Sequence, residues 1–382
     1  MTLSYESNQW TVDAWRRFNY SVVLRPGILD SPPLDLLGQS EAKRRLVVID
    51  GQVDDIYGER IREMFAALDG EFSTLTVRTS EGLKERGLVD EIHGATLEFG
   101  LARRDELVAV GGGVLMDLVG VAAAELRKET PYVVIPTTLV GQVDAGVGSK
   151  RAINFRWKGA LKKSYVGDFH PPRVSIVDPA FLGTLEPDEI RAGLSEIKKV
   201  AEMIDADLFG LLEKHGAELI DTQFQGPMGD DIMRSAISGI LQWLASDLWD
   251  QNLKRWPDYG HTISPLLEME TGMTHGPAVA ICASLSAAIS HRRNYIGQES
   301  FERMLGLTLR LGLPVWHPLL GDPDFIRRAI ESAVQLRNGD QNWPVPLAIG
   351  HHGFIEASAS EVSKAAQLAQ RVHEGNYQPW NE

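Results

Sequence analysis

Five short apolar, β-branched runs punctuate the first half of the chain: Leu46–Asp50, Leu75–Val77, Leu107–Gly113, Tyr132–Pro136 and Val174–Asp178. None alternates apolar with polar positions, so each predicts a strand buried on both faces. Helix-like stretches lie between several of them, as at Asp55–Leu68 and Leu115–Leu126. Strand alternating with helix predicts a parallel α/β sheet of Rossmann-like, nucleotide-binding type.

The pattern changes after Asp178. Long amphipathic stretches dominate from Pro187 onward: Pro187–Lys199, Asp207–His215, Met228–Ala245, Pro277–Tyr295 and Phe301–Leu311. The second half therefore reads as a mainly helical domain. We expect an α/β domain over residues 1–185 and a helical domain over 186–382, with cofactor and substrate meeting between them.

Composition narrows the setting. The 382 residues are 43% hydrophobic and 24% charged, which suits a globular chain with substantial cores. No apolar run is long enough for a membrane span, and MTLSYESNQW lacks the basic-then-apolar order of a secretory leader. The single cysteine, Cys282, excludes an intrachain disulfide and reads as a small buried hydrophobe. These features favour the cytoplasm. A net charge of −14 argues against a nucleic-acid partner but leaves room for a small anion where lysines converge.

One junction stands out on chemical grounds. The strand ending at Gly111 runs into Gly112 and Gly113 and then into a helix that carries Val114 and Asp117. Glycines admit close backbone approach to a pyrophosphate, and free amides at a helix start bind its charge. The spacing is GGGxxxD rather than GxGxxG, and by itself it is equally a tight turn. Glu81 and Lys84 follow the strand Leu75–Val77, where a carboxylate can accept both hydroxyls of an adenosine ribose; taken alone, the pair reads rather as exposed charges three residues apart on a helix. Thr137 and Thr138 close another strand with two hydroxyls.

Glu196, His261 and His275 form the candidate metal set. Two imidazoles and a carboxylate leave a coordination position open, as catalytic zinc requires. Each histidine adjoins a glycine, and His275 opens a run of small apolar residues. His170 and the His351–His352 pair are further candidates to line the cleft. Lys150, Lys163, Lys199 and Lys254 fall near these segments, and converging cations are what a phosphorylated substrate needs. Taken singly, each is a solvated surface lysine. Asp144 can orient a substrate hydroxyl or cap a turn.

Read together, VGGGVLMDLVG, PYVVIPTTLVGQVDAGVGSK, VDPAFLGTLEPDEIRAGLSEIKK, DYGHTISPLLE and THGPAVA resemble the dehydroquinate synthase superfamily of sugar-phosphate cyclases, from about Leu46 to Phe354. The resemblance implies a homodimer with NAD and Zn²⁺ or Co²⁺. It gives Glu196, His261 and His275 as metal ligands. Asp50, Glu81, Lys84, Gly112, Gly113, Val114, Asp117, Thr137, Thr138, Phe181, Thr184 and Leu185 become NAD contacts. Asp144, Lys150, Lys163, Lys199, Lys254 and Asp258 become the substrate set, with Arg255 beside Lys254 placed for the same role.

Departures indicate the branch. Dehydroquinate synthase typically carries GHTxGHAxE, whereas Pro265 stands here in place of the second histidine. The pattern is most similar to sedoheptulose 7-phosphate cyclases of the 2-epi-5-epi-valiolone synthase type. Arg151 and Ser164 replace residues of the usual KTGVN and KN, and Pro277 replaces the glutamate of HGE. The mechanism implied is transient oxidation of a hydroxyl by NAD, β-elimination of phosphate, return of the hydride, and aldol closure of the ring. Other cyclitol synthases (2-epi-valiolone, desmethyl-4-deoxygadusol or 3-dehydroquinate), a metal-dependent polyol dehydrogenase and a catalytically inactive homologue are the alternatives.

Overall fold

The computed structural model describes residues 2–6, 9–14 and 16–375. Part of the N-terminal stretch read for a leader, and the last residues of the expected second domain, lie outside the described residues. Strands β1 (Thr2–Glu6) and β2 (Gln9–Asp13) form an antiparallel hairpin of their own.

Six further strands make a parallel sheet: β3 (Ser21–Leu24), β4 (Arg44–Asp50), β5 (Glu71–Val77), β6 (Glu106–Gly111), β7 (Tyr132–Pro136) and, past a hairpin described below, β10 (Val174–Val177). Their order is β3-β10-β7-β6-β4-β5. Every residue of β6 and β7 is buried, as uninterrupted apolar runs require. Alternate residues feed two cores. Val47, Ile49, Val108 and Val110 meet Ile61, Met64 and Phe65 of helix α2 (Gly51–Ala66), which follows the short α1 (Leu34–Leu37). Leu46, Val48, Leu107 and Ala109 meet α3 (Arg86–Phe99) and α4 (Gly113–Glu125) on the other face.

The chain steps outward from β4 to β5, then restarts at β6 on the other side of β4 and proceeds to β7 and β10. The carboxyl ends of β4 and β6 therefore flank a switch point, the usual crevice for a nucleotide. Asp50 ends β4 and caps α2, accepting from the Gln52 amide at 3.0 Å.

Strands β8 (Lys150–Trp157) and β9 (Ala160–Phe169) form an antiparallel hairpin packed against α4. It carries Lys150 at its base and Lys163 and Ser164 on its returning strand. Ser164 has a φ of 48°, a left-handed conformation, and its amide donates to Asn154 Oδ1 at 2.9 Å.

The helical part comprises α5 (Pro187–Ile204), α6 (Ala206–Asp221), α7 (Pro227–Ser246), α8 (Ser264–Thr271), α9 (His275–Arg292), α10 (Gln298–Arg310), α11 (Pro323–Leu336) and α12 (Ala359–His373). Helix α9 is buried almost all round; its alanines and serines let α5, α10 and α12 pack close. The second half is not free of strands, however. β11 (Trp343–Ala348) pairs with β12 (His351–Ile355). Pro344 and Pro346 mask this strand in the sequence, because proline is compatible only with an edge or a hairpin.

Candidate active site and metal centre

Helix α5 brings Glu196 and Lys199 to the same side of the helix, facing the α/β domain. Glu196 meets His261, from the loop before α8, and His275, the first residue of α9. One ligand atom from each of the three lies within 4.8 Å of the others. His261 Nδ1 donates to the Tyr259 carbonyl at 2.9 Å, and His275 Nδ1 to Glu268 Oε1 at 3.0 Å. Both Nε2 atoms thereby point into the trio, where His275 Nε2 donates to Glu196 Oε1 at 3.1 Å until a metal displaces its proton. Both oxygens of the buried Glu196 side chain are engaged within the site, Oε1 by His275 and Oε2 by Lys199. Two imidazoles whose Nε2 atoms converge on one buried carboxylate fit a divalent cation such as zinc or cobalt.

The charges around this trio are strongly coupled. Burial works against the Glu196 carboxylate, but Lys199 and the two histidines hold its pKa well below the ordinary range. Burial likewise opposes the Lys199 ammonium, which Asp144 and Glu196 nevertheless push above the ordinary lysine value. Lys199 Nζ is 2.5 Å from Glu196 Oε2 and 4.0 Å from Asp144 Oδ1. Asp144 sits on a single π turn, Gly141–Ala145, directly after β7.

A cavity of about 480 Å³ opens beside the trio. His261, His275, Lys199, Asp144, Lys150, Lys163 and Asp258 line it, and at the far end so do Glu81, Lys84, Gly113, Val114 and Asp117. Lys84 is buried and bonds Asp117 Oδ2 at 2.9 Å, so Glu81 and Lys84 are not a surface pair on a helix. Glu81 starts a 3₁₀ turn, and Asn154 anchors its carbonyl at 2.8 Å.

The glycine junction has the shape a cofactor needs. Gly112 caps α4 with no side-chain bond to its first amides. A Cβ on Gly112 would meet Thr138 at 3.1 Å, and one on Gly113 would meet Ala145 at 3.2 Å. The free amides and the crowded, side-chain-free approach fit a pyrophosphate. Asp50, Thr137 and Thr138 stand at the carboxyl ends of β4 and β7. Phe181, Thr184 and Leu185 follow β10, where Tyr57 stacks edge-on against Phe181 and bonds Thr184 Oγ1 at 3.1 Å. These residues edge the crevice rather than line the cavity.

Other expectations need correction. Lys254 is exposed and outside the cavity, while Arg255 lines it, held by Asp250 at 2.8 Å and Asp258 at 2.9 Å. A 3₁₀ turn begins at Trp256, and it turns the second of the two neighbouring cations inward. His170 is buried against Tyr132 and bonds the Thr130 carbonyl. His352 bonds the Met203 carbonyl, and His351 is exposed. None of the three lines the cavity. Arg151 is fully buried: it donates to the carbonyls of Ala145 and Gly148 and to Tyr132 Oη, so it braces the turn carrying Asp144 rather than touching the cavity. Arg255 was the alternative to Lys254 that the sequence offered, whereas Asp250 and Glu268 were not legible as site residues, because only the fold brings them to the cavity or to His275.

Comparison with known proteins agrees with this layout. Residues 74–192 match the N-terminal domain of 3-dehydroquinate synthase, and residues 193–338 its C-terminal domain. A 2-epi-5-epi-valiolone synthase of Actinoplanes sp. is 38% identical, over 96% of this chain and 94% of its own. The structure of a 2-epi-5-epi-valiolone synthase from Streptomyces hygroscopicus subsp. jinggangensis, with NAD⁺ and Zn²⁺ bound, is 38% identical. It covers 95% of this chain and 100% of its own at a TM-score of 0.89. A 2-deoxy-scyllo-inosose synthase complexed with carbaglucose-6-phosphate, NAD⁺ and Co²⁺ shares the fold, with a TM-score of 0.76 at 22% identity over 91% and 96%.

Proposed function

The chain belongs to the dehydroquinate synthase superfamily of sugar-phosphate cyclases, and from that premise we propose that it converts sedoheptulose 7-phosphate into 2-epi-5-epi-valiolone and inorganic phosphate. The carrying observation is that one cavity is lined by His261 and His275, which Glu196 joins from behind, by five cationic side chains and by Gly113 at the start of α4. When bound, NAD would take up and return one hydride, and zinc or cobalt held by the trio would acidify the hydroxyl being oxidised.

The remaining work falls to side chains. Lys150, Lys163 and Arg255 supply charge for the phosphate ester, with Arg255 kept in place by Asp250 and Asp258. Lys199 is held protonated next to the trio, where it can stabilise a developing oxyanion. Asp144, 4.0 Å from Lys199, orients a neighbouring hydroxyl. Glu81 accepts the adenosine ribose, and the α4 amides take the pyrophosphate. The aldol partners belong to one bound molecule, so closure needs orientation more than a further catalyst.

Hydride is borrowed and repaid, so the net reaction is that of a carbon–oxygen lyase. Pro265, in the first turn of α8, replaces the histidine typical of dehydroquinate synthase and favours a C7 ketose over its deoxy acid analogue. We place the domain division between residues 185 and 186, between the turn after β10 and α5. Family resemblance supports a homodimer; no helix among the described residues is long and apolar enough to cross a membrane, and a cytoplasmic setting fits the single buried cysteine. The test offers sedoheptulose 7-phosphate and, in parallel, 3-deoxy-arabino-heptulosonate 7-phosphate, and identifies products by NMR. A carbocycle from the first substrate alone supports the proposal; turnover of the second alone makes the chain a dehydroquinate synthase.

A further inference from the structure

The two metal-ligand histidines are held by different partners. His261 is fixed by a backbone carbonyl, an acceptor that belongs to its own loop and carries no net charge. His275 is fixed by a carboxylate from another element, Glu268 near the end of α8, whose side chain is only 8% exposed. The second oxygen of Glu268 takes Lys163 Nζ, from strand β9 of the opposite domain. Lys163 Nζ also lies 3.7 Å from Glu81 Oε1, at the ribose end of the cavity. One buried carboxylate is thus shared by a metal ligand and by a cation of the hairpin.

We propose that Glu268 is a positioning residue that ties the metal centre to the β8–β9 hairpin, fixing His275 with Nε2 toward the metal and holding Lys163 inside the cavity. Three facts carry this. First, a carboxylate cannot donate, so its bond keeps the ring proton on Nδ1 and makes Nε2 the atom that turns to a metal once its own proton is displaced; such outer partners set ligand orientation and basicity. Second, Lys163 rides on a two-stranded hairpin, and among the described residues Glu81 and Glu268 are the carboxylates paired with it. Glu81 is nearly half exposed, whereas Glu268 is buried, so Glu268 is the firmer anchor. Third, α8 and β9 come from different domains, so this ion pair closes the cavity across the cleft.

The inference rests on the trio being a metal site, and its test separates the two ideas. Zinc affinity is measured by chelator competition in the full-length protein, alongside KM and kcat for sedoheptulose 7-phosphate. Glu268→Ala is expected to weaken zinc binding by about 10–100-fold. Glu268→Gln keeps an acceptor for Nδ1–H but loses the charge that holds Lys163. It should retain zinc affinity within about threefold while KM rises about tenfold, a split that a merely structural role does not produce. Lys163→Met should leave zinc affinity unchanged. If wild-type protein binds no zinc, the metal-site reading itself fails. If wild type binds zinc and Glu268→Ala binds it equally tightly, this inference alone is overturned. Should the alanine variant fail to fold, the glutamine variant decides: zinc affinity lost together with an unchanged KM contradicts the proposal.

Discussion

Lys199 Nζ lies 2.5 Å from Glu196 Oε2, one turn further along α5, and both side chains are buried. A lysine so close to a metal-ligand carboxylate neutralises it while no cation is bound. Lys199→Met leaves that carboxylate without its partner, and breaking a buried pair costs about 3–5 kcal/mol. The metal-free variant should therefore melt well below wild type, and zinc should raise its melting temperature by more than it raises that of wild type. kcat/KM should fall about 10²–10³-fold, the usual consequence of removing a preorganised charge. Equal zinc-induced shifts in the two proteins would argue against the coupling.

His275 links metal binding to pH. Burial opposes its charge, but the hydrogen bonds to Glu196 and Glu268 raise its pKa from 6.5 to about 9 in the metal-free protein. Because the folded value exceeds the ordinary one, the stabilisation from this charged cluster is complete below about pH 6.5 and fades as pH rises through about 9. Zinc must displace the same proton. Its apparent affinity should rise by up to about tenfold per pH unit toward pH 9 and then level off. Burial and Lys199 hold the His261 pKa down, so that ring adds no competition in this range. Calorimetric titrations across the window check the slope.

Arg151 and Gly120 form a second coupled pair. A Cβ at Gly120 would stand 2.4 Å from Arg151 Cγ and Cδ, so α4 admits the buried arginine only because residue 120 has no side chain. Gly120→Ala should cost about 1–3 kcal/mol by overpacking and should lower activity through the turn that carries Asp144. In an Arg151→Thr background the same change should be tolerated, giving a coupling energy above about 1 kcal/mol in denaturant titrations. Additive effects would contradict the pairing.

Glu81 tests the cofactor assignment. Its carboxylate repels a 2′-phosphate and accepts ribose hydroxyls. Glu81→Ala should weaken NAD binding about tenfold while leaving NADP binding unchanged or improved, as fluorescence titration of the two nucleotides would show.

The parts legible in the sequence are those where local chemistry and fold agree. Strands β6 and β7 are unbroken apolar runs, and the glycines after β6 have few other uses, so the sheet and its cofactor edge could be read directly. Glu196, His261 and His275 stood out through residue type and motif order. Pro344 and Pro346 hid β11 because they forbid a central strand but not a hairpin. The choice between Lys254 and Arg255 turns on the direction in which a short 3₁₀ turn points adjacent side chains, and sequence carries no such vector. Glu268 lies seven positions before His275 and meets it only because α8 folds back beneath the start of α9.

The most direct test of the central claim is the ratio of phosphate released to NADH accumulated, with sedoheptulose 7-phosphate, substoichiometric NAD and Zn²⁺ or Co²⁺. The account predicts many equivalents of phosphate per NAD and no net NADH, since each hydride is returned within the turnover. NADH accumulating in step with substrate consumption, without phosphate, would contradict it and make the chain a polyol dehydrogenase.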